Sequence, residues 1–156
     1  MKKFFVKLLV LSMAATLSVT ACGASSDAEG EGVSQQKEFQ LPEEEPNTSA
    51  MVDAIILQAK ADAETATDED LQAAFTFIKD TYPDFFTDNE VMEKVMYYGS
   101  LLEYAYRDTE ETTMAELGMD AVQTVKYVYR GAETVEDEAT KLNLEQVNES
   151  LTALSE

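Results

Sequence analysis

The chain has 156 residues, 45% of them hydrophobic and 27% charged, which suits one modest domain with accessory segments and leaves no room for a large two-domain enzyme. It contains no His, no Trp and one Cys, so a His-dependent catalytic triad, a His-ligated metal centre and a disulfide within the chain are excluded. With 31 Asp and Glu against 11 Lys and Arg, the formal charge of −20 repels phosphate backbones and anionic headgroups, and the reading includes no nucleic-acid partner.

The first element is an export signal over residues 1–21. A basic leader, Met1-Lys2-Lys3-Phe4-Phe5-Val6-Lys7, precedes an apolar run from Leu8 to Leu17, and small residues follow at Ser18 and Ala21. Ser18 and Thr20 interrupt the run before it reaches the roughly 20 apolar residues that a spanning helix needs. Val19-Thr20-Ala21-Cys22 resembles the lipobox of bacterial lipoproteins, with Val where Leu is usual. That resemblance implies cleavage before Cys22, a thioether-linked lipid on its sulfur, and a place on the extracytoplasmic face of the cell membrane. Cleavage there removes Lys2, Lys3 and Lys7 and no acid, taking the formal charge from −20 to −23, so attachment has to come from lipid and not from attraction to headgroups. Gly23 and the Ser-rich, acidic residues after it look like lipoproteins of single-membrane bacteria.

Residues 22–48 read as the lipidated Cys followed by a disordered acidic linker. Gly, Ser, Glu and Gln dominate, Pro42 and Pro46 flank Glu43-Glu44-Glu45, and the bulky apolar residues are Val33, Phe39 and Leu41 alone. A docking motif at Phe39 and Leu41 is the alternative reading of that stretch.

From residue 49 to 156 the periodicity is helical, and the fold class expected is all-α, a single small bundle of about five helices. The first helix is expected over 50–65, with Ile55, Ala59 and Ala63 on one face. Thr67 followed by Asp68-Glu69-Asp70 marks the start of a second, over 68–81, which places Leu71, Ala74, Phe75 and Ile78 together and stops before Pro83. Thr87-Asp88-Asn89-Glu90 matches a capping box and starts a third near Asp88, running to Arg107. That helix is apolar around much of its circumference, so it is either central or presents a second face to a partner. A fourth spans 112–130, where Gly118 costs about 1 kcal/mol against Ala unless close packing compensates, and Gly131 ends it. The fifth starts at Thr134-Val135-Glu136-Asp137 and carries Leu144, Val147, Leu151 and Leu154 on one stripe.

The acidic clusters at 68–70, 110–111 and 136–138 lack the alternating oxygen ligands of a calcium loop and are read as complements to helix dipoles after Thr67, Thr109 and Thr134. No catalytic residue, metal ligand set or cofactor site is assigned. Tyr97, Leu101 and Tyr104 are the candidate partner-binding face of the third helix, with Tyr98 and Tyr106 turned inward. Lys126 and Arg130, one turn apart beside Tyr127 and Tyr129, are the candidate anion site; dipole capping with Tyr packing is the simpler account.

The function expected is that of a non-enzymatic, membrane-anchored lipoprotein whose acidic helical domain meets a protein partner or serves the envelope. A small-ligand or cation-binding lipoprotein is the alternative. The layout of anchor, polar linker and small helical module is also similar to that of phage superinfection-exclusion lipoproteins, a likeness of architecture alone.

Overall fold

The computed structural model of the chain describes residues 37–155, and all regular structure among them is helical. The signal, Cys22 and the linker up to residue 36 lie outside the described residues. Five helices follow in order: α1 (Ser49–Ala63), α2 (Asp68–Thr81), α3 (Asn89–Tyr106), α4 (Thr112–Tyr129) and α5 (Glu138–Ala153). None of the described helices is long and apolar enough to cross a membrane.

Local chemistry sets most of the boundaries. The Thr48 hydroxyl accepts the Met51 N–H at 3.1 Å and caps α1. Thr67 caps α2 as the sequence suggests, and Asp70 answers it in a reciprocal capping box that was expected instead at Thr87 and Glu90. At α3 the capping residue is Asp88, whose carboxylate accepts the Val91 N–H at 2.9 Å, while the Thr87 hydroxyl turns back to the Asp84 carbonyl. Neither Thr109 nor Thr134 caps a helix. The Thr109 hydroxyl accepts the Glu111 N–H, and Asp137 accepts from both the N–H and the hydroxyl of Thr134, closing a turn that delays α5 until Glu138. Glu111 and Asp137, the residues before α4 and α5, make no side-chain cap bond, so among the capping carboxylates only Asp88 takes a donor of its helix that the preceding Thr would otherwise accept. Gly131, at φ +68°, closes α4 with Schellman bonds from its own N–H to the Val128 carbonyl and from the Ala132 N–H to the Tyr127 carbonyl.

Helix α3 lies at the centre. It packs against α1, α2 and α4, and α5 lies on α4. The core is built from Ile55 and Ala59 of α1, Ala74 and Ile78 of α2, Val95 and Met96 of α3, Leu117 and Val125 of α4, and Val147 of α5. The closest approach is between α3 and α4, where Gly99 and Gly118 bring the two backbones together. A Cβ on Gly99 would stand 2.8 Å from the Gly118 carbonyl oxygen, and one on Gly118 would run into the Gly99 carbonyl and the Glu103 N–H. Gly118 therefore has the close packing that offsets its propensity cost, and it lets α4 lie on the central helix.

Candidate functional site

The residues singled out in the sequence separate into three places. Tyr97 and Leu101 are both 0% exposed and belong to the core, which corrects the reading of that face as a docking surface. The inward pair was expected at Tyr98 and Tyr106, and these are instead half-buried. Because α3 is apolar on nearly every side, its periodicity could not say which stripe its neighbours would cover; α1 covers the stripe with Tyr97. Tyr104 is half-buried between two cations, with the Lys60 Nζ 5.4 Å and the Arg107 Cζ 4.2 Å from its ring centre.

Lys126 and Arg130 are brought together over the ring of Tyr127, each 4.9 Å from its centre. Arg130 also donates through Nε to the Lys126 carbonyl and through a terminal nitrogen to the Ser49 hydroxyl at 3.0 Å, joining the end of α4 to the start of α1. This is the helix-end and Tyr-packing arrangement. Among the described ion pairs, Glu90–Lys94 and Glu103–Arg107 form as their spacing suggests, whereas Lys141 pairs with Glu136 and leaves Asp137 to its turn.

The segment before α1 is part of the fold from Lys37 onward, which corrects the reading of all of 22–48 as spacer. The Lys37 N–H donates to Asp70 Oδ1, and the Lys37 Nζ lies 3.3 Å from Asp62 Oδ1. The Phe39 ring lies 5.2 Å from that of Tyr97, whose hydroxyl donates to Asp62 Oδ2 at 2.9 Å. With the Gln58 amide oriented to match donors to acceptors, its nitrogen donates to the Gln40 carbonyl at 2.8 Å and its oxygen accepts the Gln40 N–H at 3.3 Å. Residues 37–41 thus form a strap, held by its backbone, by the Lys37–Asp62 ion pair and by one aromatic anchor.

Asp70 is the fastening point, and it is 1% exposed. Burial pushes its carboxyl upward, but bonds from the Thr67 N–H, the Lys37 N–H and the Thr67 hydroxyl, with the charge of Lys37, outweigh that and hold it below the ordinary carboxylate value. The sign follows: a depressed carboxyl stabilises the fold above its unfolded value near pH 4, and that contribution is lost as pH falls further. Asp70→Asn removes the charge and one acceptor, a loss of about 1.5–3 kcal/mol for bonds to a charged group. Trypsin is expected to cut after Lys37 several-fold faster in that variant, with stability less dependent on pH below about 4. Equal cleavage rates in the two proteins would show that Asp70 does not fasten the strap.

A second buried carboxylate, Glu93, accepts the Tyr129 hydroxyl at 2.6 Å and is 6% exposed. Neither Asp62–Tyr97 nor Glu93–Tyr129 is foreseen by the sequence reading. Partners 35 and 36 residues apart leave no local signal.

An open, shallow groove of about 840 Å³ runs along the outer side of α2. Its floor is Ala73, Phe77 and Tyr98, with the two aromatic rings 4.9 Å apart and tilted by 42°. Asp68 and Glu69 stand at one end and Asp80 at the other, and Gln72, Thr76 and Thr81 complete the lining. Strap and groove meet through Tyr97, whose ring lies 5.2 Å from that of Phe39 and 5.1 Å from that of Tyr98. Among the described residues, no cluster of His, Cys, Asp and Glu is arranged to hold a metal ion. No protein-family model matches the chain, and neither a curated protein nor a solved structure is significantly similar to it.

Proposed function

We propose that the protein is an extracytoplasmic lipoprotein, held on the outer face of a cell membrane through lipid on Cys22, whose acidic helical domain docks a protein partner without catalysing a reaction. The observation that carries this is the ending Val19-Thr20-Ala21-Cys22 behind a basic leader and an apolar run, in a chain with no other Cys. Each buried methylene of an acyl chain contributes about 0.8 kcal/mol, so two or more chains hold a protein on a membrane that one chain would leave readily. Between the proposed cleavage point and the strap lie fifteen residues, 22–36.

Cys22→Ser is expected to move the protein from the membrane fraction to the medium, or to leave an unprocessed precursor. The native form is expected to have a mass lacking residues 1–21 and carrying acyl groups. Unchanged membrane retention of the variant, or a native protein that still begins at Met1 with a bare thiol, overturns the assignment.

The groove on α2 gives specific support to binding by the folded domain, through an aromatic floor and acids at both ends. It also favours the second reading, a receptor for a small organic cation, which calorimetry with spermidine would reveal as saturable binding.

A further inference from the structure

The α2 groove combines three features that together restrict its occupant. Its carboxylates stand at its two ends, Asp68 and Glu69 against Asp80, and no Lys or Arg lines it. Twelve residues of helix separate Asp68 from Asp80, or about 18 Å at 1.5 Å per residue. Between the ends, Phe77 and Tyr98 offer half-buried ring faces, flanked by the exposed polar side chains Gln72 and Thr76.

From this arrangement we infer that the groove binds a basic segment of a partner protein, with an apolar side chain on the Phe77–Tyr98 floor and a Lys or Arg reaching each acidic end. The inference rests on the docking function proposed above and names its surface and the chemistry of the partner. Six extended residues cover about 18–20 Å, and about twelve helical residues do the same, so either form of segment spans the two ends. The groove is open along its length, and a small cation would leave the aromatic floor in contact with water. A segment brings its own backbone as a cover. Charge opposes a second copy of this chain as the occupant, because the processed form, at a formal −23, would bring mostly carboxylates to the same acidic ends.

The test uses the full chain extracted from membranes in detergent and a fluorescein-labelled ten-residue peptide with Lys near each end and Phe and Leu between. Saturable binding that weakens between 50 and 500 mM salt is expected. Glu69→Gln with Asp80→Asn is expected to weaken it about three- to tenfold, the scale of two exposed ion pairs. Thr76→Arg, at an exposed mid-groove position, is expected to abolish it. Glu145→Gln with Glu149→Gln removes two exposed carboxylates from α5 and is expected to leave binding unchanged. Failure of the peptide to bind, or equal losses in the two double variants, overturns the groove.

Photocrosslinking in intact cells then separates this inference from the wider one. An adduct from position 76 that the peptide competes away supports both. An adduct from position 149 with none from 76 overturns the groove and keeps the docking function, and no adduct from either position overturns both.

Discussion

Gly118→Ala is expected to lower the melting temperature by about 10–20 °C, although helix propensity alone favours the substitution by about 1 kcal/mol. The sign is decided by what the new methyl group would meet. A Cβ at position 118 runs into the Gly99 carbonyl oxygen and the Glu103 N–H, both backbone atoms of α3 that no side-chain rotation can move. The helices would have to separate along the contact that holds α4, and α5 behind it, to the centre of the molecule. Overpacking of a filled interior costs about 1–3 kcal/mol, and an obstacle made of backbone lies at or above the upper end. Against a total stability of about 5–15 kcal/mol, a net loss of 2–4 kcal/mol is large. Gly131→Ala is the comparison. Its strain comes from φ +68° alone with no atom within 4 Å of the new Cβ, and about 1 kcal/mol is expected. Melting followed by circular dichroism checks both, and a Gly118→Ala protein that melts at or above the wild-type temperature would show that the two backbones are not in contact.

The helices were legible because each carries its apolar residues at a helical period and is bounded by residues with a local physical role. Thr67, Pro83 and Gly131 act as their chemistry suggests. Residues that do two things at once were harder to read. Asp70 looks like one more acid complementing the dipole of α2, yet it both closes the capping box and accepts the Lys37 N–H, so it decides that residues 37–41 are strap and not spacer. Phe39, one aromatic residue among acids, finds its partner in Tyr97 of α3, 58 positions away, and periodicity carries no information across such a distance. The same limit left the burial of Tyr97 and Leu101 unread. Tyr97 and Leu101 lie on a stripe as apolar as any other on α3, so only the arrangement of the neighbouring helices shows that this stripe is covered. The recess with a ring floor lies instead between α2 and Tyr98. The proposal for Cys22 rests on linear sequence alone, since an export signal is read without a fold.

Tyr129→Phe is expected to destabilise the domain by about 2–3 kcal/mol at pH 8 and to flatten its loss of stability in alkali. Tyr129 is 2% exposed and its hydroxyl donates a hydrogen bond to Glu93, a carboxylate with 6% exposure. Removing the hydroxyl leaves that carboxylate oxygen without its donor in a place water scarcely reaches, and a bond to a charged group contributes about 1.5–3 kcal/mol. The pH dependence has a definite sign. Burial, then the bond to Glu93, push the phenol from its ordinary 10 up to about 12, opposed by the Asn47 backbone N–H. The folded protein therefore keeps a proton that the unfolded chain releases. The contribution is complete below about pH 10 and is lost as pH rises through 12, about 2–3 kcal/mol for two units. Tyr97, raised by burial and by Asp62, adds a separate alkaline loss that the variant retains. Urea unfolding at pH 8 and pH 11 distinguishes the cases: the gap between wild type and Tyr129→Phe should be about half as wide at pH 11 as at pH 8. A gap of the same size at both values would mean that the hydroxyl contributes packing alone, and no gap at pH 8 would mean that Glu93 finds another donor.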